Sequence, residues 1–202
     1  MAKVSVIYYS ATGNTYRIAQ AVETGARQAG AETRLRRIPE LAPRSDIDAN
    51  PAWKANVEAM TGVAVATHED LTWADGYLFG SPTRYGVMAA PLKQFFDTSG
   101  ALWAKGLLAD KAVAAFTGAG NPHGGQETTL LTIYQVMYHW GAILVPPGYT
   151  DPRVYAAGGN PYGFSGTAPG GHERAAEIPA AAGYLGARLA RFAETLARRG
   201  AG

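Results

Sequence analysis

The 202-residue chain predicts an α/β fold in which a parallel sheet is covered by helices on both faces. Three observations carry this prediction. The strand-like runs Val4–Tyr9, Tyr77–Gly80 and Lys111–Phe116 are short and mostly apolar instead of alternating, as strands buried on both faces are. Segments with apolar residues at helical spacing separate them. Loops rich in glycine and hydroxyl side chains follow all three runs.

The elements can be justified in chain order. Val4–Tyr9 is β-branched and aromatic, the composition of an inner strand. From Thr15 the pattern turns helical, with Ile18, Ala19, Val22 and Ala26 on one face and Gly30 as the stop. Glu32–Arg37 alternates and reads as a second strand. Residues 40–68 are rich in Pro and Ala with weak periodicity, so we expect an irregular insertion with one short helix. Tyr77–Gly80 is the next buried strand, Pro91–Phe96 a short helix ending near Asp97, and Lys111–Phe116 another buried strand. Gln126–His139 follows as a helix and Ala142–Val145 as a strand. Residues 147–172, with many Gly and Pro, read as a long loop. Ala176–Arg199 closes the chain as an Ala-rich helix with Leu185, Leu189, Phe192 and Leu196 on one stripe. We expect a single domain over 1–202, with insertions at about 40–68 and 147–172.

Composition narrows the function. The net charge is +2, and Arg36-Arg37 and Arg198-Arg199 are isolated basic pairs, a poor footprint for nucleic acid. There is no cysteine, which excludes disulfides, thiolate metal sites and thiol nucleophiles and fits a cytoplasmic protein. No apolar run is long enough to span a membrane. His68, His123, His139 and His172 lack metal-ligand spacing.

The loops after the three inner strands would meet at the carboxyl edge of the sheet, where ligands bind in such folds. The first, Ser10-Ala11-Thr12-Gly13-Asn14-Thr15, joins a strand to a helix N-terminus, whose free N–H groups and positive dipole end suit an anion. Gly13 permits close backbone approach. With no Lys or Arg, the loop suits a phosphate monoester held by neutral donors, and it is neither a P-loop nor a dinucleotide fingerprint. The bland alternative is a capped strand–helix turn. The second loop, Ser81 to Gly86, contains Pro82, Thr83, Arg84 and Tyr85; the third runs from Thr117 through Gly118, Ala119, Gly120, Asn121 and Gly124 to Gly125.

The run YYSATGNT resembles the phosphate loop of flavodoxin-like proteins. GSPTRYG, FFDTSGALW, GGQETTL and HWGAILVPPGY, in that order, resemble the WrbA-type NAD(P)H:quinone oxidoreductases. The resemblance implies a three-layer flavodoxin-like fold with a five-stranded parallel sheet in the order 2-1-3-4-5. It also implies noncovalent FMN, NADH or NADPH as electron donor, two-electron reduction of quinones without a semiquinone, and a homotetramer. It assigns Ser10 to Thr15, Pro82 to Gly86, Thr117 to Asn121 and Gly124 to FMN, with Arg84 near the flavin's N1–O2 edge. His139 is implied to reach FMN within the tetramer and Trp103 to line the substrate site. The residues by themselves also allow Arg84 as a surface ion pair, His139 as a helix cap and Trp103 as core or interface filler. The chain departs from the pattern at Asn121-Pro122-His123, at Trp140 in place of a second histidine, and at Thr12 in place of an aromatic that touches nicotinamide. Two other readings stay open: a flavodoxin-type electron carrier, which the weakly basic charge disfavours, and a regulator or scaffold of the same fold without turnover.

Overall fold

A computed structural model describes residues 1–167 and 176–199. Strand β1 (Lys3–Tyr8) leads through a tight turn into helix α1 (Asn14–Gln28), and β2 (Glu32–Arg37) follows. Three short helices come next, α2 (Arg44–Ala49), α3 (Pro51–Ala59) and α4 (His68–Trp73). Strands β3 (Gly76–Arg84) and β4 (Val87–Met88) precede helices α5 (Ala90–Asp97) and α6 (Gly100–Trp103). Strand β5 (Ala112–Ala119) leads to α7 (Gln126–Trp140) and β6 (Ile143–Leu144). Helix α8 (Pro152–Ala156), strand β7 (Phe164–Thr167) and helix α9 (Ile178–Arg199) complete the described elements.

The sheet runs β2-β1-β3-β5-β6 with parallel pairing, the doubly wound order expected. Side chains alternate across it. Val4, Val6 and Tyr8 face a core shared with α1 and α9, while Ile7, Tyr9, Tyr77 and Phe79 face one shared with α4, α5 and α7. Helices therefore cover both faces, and the strands are buried on both sides, which is why they carry apolar runs. Trp140 belongs to the second core, edge-on to Tyr77, Phe79 and Phe96.

Five points differ from the expectation. The strand count is seven, because β4 folds back on β3 and β7 adds to β5. Strands β6 and β7 share one edge position: β6 pairs with Ala112 and Val113, β7 with Phe116 to Ala119. The residues between them are thus an insertion that splits one edge strand. The segment expected as a loop over 147–172 holds α8 and β7; its residues 168–172, His172 among them, lie outside the described residues. The segment 40–68 holds two helices and the start of a third. Each has a local start signal: Asp46 in the first turn of α2, Asn50 capping α3 ahead of Pro51, and a Thr67–Asp70 capping box on α4. Finally, Phe192 is exposed beneath the Arg188 guanidinium, and the buried stripe of α9 is Ala182, Leu185, Leu189 and Ala193.

That stripe is set by helix packing. A Cβ on Gly25 of α1 would lie 1.9 Å from the Gly183 carbonyl oxygen, and one on Gly186 the same distance from that of Val22. Helices α1 and α9 touch backbone to backbone, which only glycine permits. Among the described helices none is long and apolar enough to cross a membrane.

Candidate functional site

The three loops do meet. Tyr8 pairs with Gly80, Ser81 with Thr117 and Pro82 with Gly118, so β1, β3 and β5 end side by side. Ser10, Ala11, Thr12, Asn14, Thr15, Pro82, Thr83, Arg84, Gly118, Ala119 and Gly120 line one cleft with about 470 Å³ of open space.

Its floor is the turn into α1. Gly13 takes φ 96°, the left-handed region, and directs the chain into the helix. The Ser10 hydroxyl oxygen accepts the Tyr16 N–H at 3.2 Å and keeps its own proton free to donate. The first turn of α1 carries no acidic residue, so nothing opposes the positive end of the helix dipole. Asn14 reaches sideways to the Gly166 carbonyl on β7 at 3.4 Å, and a Cβ on Gly118 would stand 2.5 Å from its amide nitrogen.

One wall is the β3–β4 hairpin. Tyr85 and Gly86 have φ of 53° and 82°, the two positive values of a tight two-residue turn. Tyr85 pays strain for this and is fully exposed at the tip. Thr83 anchors the hairpin: its hydroxyl donates to the Gly124 carbonyl at 2.8 Å and accepts from Thr129 at 2.9 Å. Arg84 donates to the Thr83 carbonyl at 3.0 Å and, among the described residues, makes no ion pair, so its charge faces the cleft and solvent.

The third loop closes against that hairpin. A Cβ on Gly125 would meet the Gly86 Cα at 2.7 Å. Asn121 folds the departure Asn121-Pro122-His123 into a turn. Its side-chain oxygen accepts the His123 N–H, and its carbonyl accepts the Gly124 N–H and the Gln126 amide. The Thr117 side chain is buried and donates to the Ser81 carbonyl at 2.7 Å, holding two loops together.

His139 and Trp103 are not in this cleft. They sit together at the far end of α7, where Trp103 Nε1 donates to the His139 carbonyl at 2.7 Å. Fifteen helical residues, about 21 Å, separate that end from the loops. Sequence reasoning missed Asn56, Glu40 and Trp53, which stand behind the first loop. Glu40 accepts from the Tyr9 phenol at 2.9 Å and from Trp53 Nε1 at 2.7 Å. Burial, and then the neighbouring Glu40 carboxylate, push the Tyr9 phenol well above its ordinary pKa. Among the described residues, no group of three His, Asp or Glu side chains is placed to hold a metal.

The cleft combines a helix start free of acidic residues, glycines Gly118 and Gly120 along one wall, and one cation without an ion pair, Arg84, on the rim. The family described as NADPH-dependent FMN reductase matches residues 2–152. The chain belongs to that family. It is similar to a protein of Deinococcus radiodurans named NAD(P)H dehydrogenase (quinone), with 51% identity over 83% of this chain and 84% of that one. A protein of the same name from Archaeoglobus fulgidus is 39% identical over 97% of this chain and all of its own length. Among solved structures, a WrbA-like flavodoxin from Agrobacterium tumefaciens superposes with a TM-score of 0.66 at 23% identity, over 96% of this chain and 99% of its own, which speaks to the fold. The flavodoxin-like reading of the sequence is therefore borne out.

Proposed function

We propose that this FMN reductase family member is an NAD(P)H:quinone oxidoreductase. It would bind FMN noncovalently and reduce quinones two electrons at a time. The observation that carries this is the convergence of the three loops on one cleft whose floor is a helix N-terminus free of acidic residues. Family membership and the names of the similar proteins support it.

The geometry supports the following roles for the residues. The N–H groups that open α1, with the Ser10, Thr12 and Thr15 hydroxyls, bind the phosphate. Pro82 to Gly86 and Thr117 to Gly120 flank the ring, with Asn121 and Gly124 bracing the second wall. Arg84 offsets negative charge that develops on the ring. FMN held there would supply two-electron chemistry between NADH or NADPH and a quinone, so that a hydride from the nucleotide and one proton from solvent together yield the hydroquinone. We place the protein in the cytoplasm, the compartment that supplies NAD(P)H.

We also propose a homotetramer in which His139 and Trp103 reach a neighbouring subunit's cleft. Support comes from the apolar surface left open around them: Trp103, Leu107, Leu131 and Tyr138 are all exposed. His139 would give a hydrogen bond or proton there. Light scattering should give four times the chain mass; a fully active monomer contradicts this assembly.

Anaerobic rapid mixing tests the function. The FMN-loaded protein should lose its yellow absorbance on addition of NADH or NADPH and regain it with one equivalent of a quinone. No bleaching by either nucleotide rejects the reading. Arg84→Ala should lower the two-electron potential of bound FMN by roughly 20–40 mV, the equivalent of removing one partly screened charge. A potentiometric titration with no change removes that role.

A further inference from the structure

We propose that Asn56 is a positioning residue for the anion end of the cleft: it ties the carbonyls of Ser10 and Ala11 outward, so that the loop's N–H groups face the ligand. The inference rests on the FMN reading above. A turn can aim its N–H groups at an anion only if its carbonyls turn the other way, and buried carbonyls still need donors. Asn56 supplies both. Its Nδ2 lies 2.8 Å from the Ser10 carbonyl oxygen and 2.8 Å from that of Ala11. Two acceptors on that side fix the orientation of the amide, because only its NH₂ can face them. The side chain is buried, at 7% exposure. It sits inside α3, whose own cap is Asn50, at a position where asparagine does the helix no favour.

Its neighbours on the helix act on the same stretch. Trp53 holds Tyr9 through Glu40, and the Met60 sulfur accepts from the Tyr8 hydroxyl at 3.5 Å. Residues 53 and 56 share one face of α3, and Met60, its C-cap residue, follows at the next i+4 position. That face therefore braces Tyr8, Tyr9, Ser10 and Ala11, the four residues that lead into the turn. Asn56 Oδ1 also stands 3.3 Å from where a Cβ on Gly13 would lie. The segment between β2 and β3 thus sets the geometry of the loop, although it contributes no atom to the cleft lining.

Removing Asn56 frees the Ser10–Ala11 peptide to rotate and present a carbonyl oxygen to the phosphate. The loss should fall on the phosphate end alone. Titrating apoprotein with FMN and with riboflavin separates the two ends. Asn56→Leu should raise the FMN dissociation constant at least about 20-fold while that for riboflavin changes less than about threefold. Asn56→Gln, which keeps the donors on a longer arm, should recover part of the loss. Leu71→Ala, fully buried in α4 of the same segment and not in contact with the loop, should lower the thermal midpoint and leave the FMN-to-riboflavin ratio unchanged. Equal weakening of both ligands by Asn56→Leu, or no weakening, overturns the proposal. Wild-type protein that binds neither ligand would instead overturn the FMN reading. Should the Asn56 variants not fold, NMR on wild-type apoprotein decides: the Asn56 side-chain amide should exchange at least about 100-fold more slowly than the exposed amide of Asn121. Equal exchange rates overturn the proposal.

Discussion

Thr12→Glu should weaken FMN binding by at least about 30-fold, the largest effect expected from one substitution in the cleft. Thr12 is exposed and lies in the turn between β1 and α1. A glutamate there sets a carboxylate against a phosphate that carries between one and two negative charges near neutral pH. Even at the dielectric of water, each charge pair a few ångströms apart costs about 1 kcal/mol, and the partly enclosed cleft raises that figure. Three readouts make the result specific to charge. Riboflavin, which has no phosphate, should bind nearly as before. Thr12→Ser should keep most of the affinity. The loss with FMN should shrink in about 1 M salt, where screening acts within roughly 3 Å. Equal losses for FMN and riboflavin would contradict the assignment of this turn to the phosphate.

Gly25→Val should produce the largest loss of stability. Its Cβ would lie 1.9 Å from the Gly183 carbonyl oxygen and 2.5 Å from the Gly183 carbonyl carbon. Neither contact is with a flexible side chain that can move aside. Helix α1 must therefore separate from α9, opening space around Val22, Leu185 and Leu189, all fully buried now. Overpacking of this kind costs about 3 kcal/mol or more, and for a chain of this size the thermal midpoint should drop by roughly 10 °C. Because the turn proposed to hold the phosphate opens α1, FMN affinity should fall as well. A midpoint within about 2 °C of wild type, read by calorimetry, would mean the two helices do not touch as described.

The inner architecture was legible because its signals are local and strong. Val4–Tyr9 could only be an inner strand, and Ser10–Thr15 followed by a helical stripe could only be a strand–helix turn at the sheet edge. The glycines there announced the cleft. What stayed hidden depends on distant partners or on short elements. Helices α2 to α4 span six, nine and six residues, too few turns for periodicity to register. Their caps, Asn50 before Pro51 and Thr67 before Asp70, were readable signals that weak periodicity obscured. Strand β7 has four residues, two of them Ser165 and Gly166, and exists because β5 offers an open edge beyond β6. Phe192 was misplaced because the buried face of α9 follows its glycine contact with α1 and not its largest side chains. Asn56 carried no sequence signal: a polar residue within a short helix is ordinary until the fold sets it under two carbonyls. His139 and Trp103 were read from resemblance alone, and the chain places both at the opposite end of α7 from the cleft.

A crystal structure of the protein grown with FMN tests the central claim most directly. Phosphate density should lie against the backbone N–H groups of Ser10 to Thr15, with the ring between the Pro82–Gly86 hairpin and the Thr117–Gly120 strand end. FMN bound elsewhere, or a cleft left empty at saturating FMN, would contradict it.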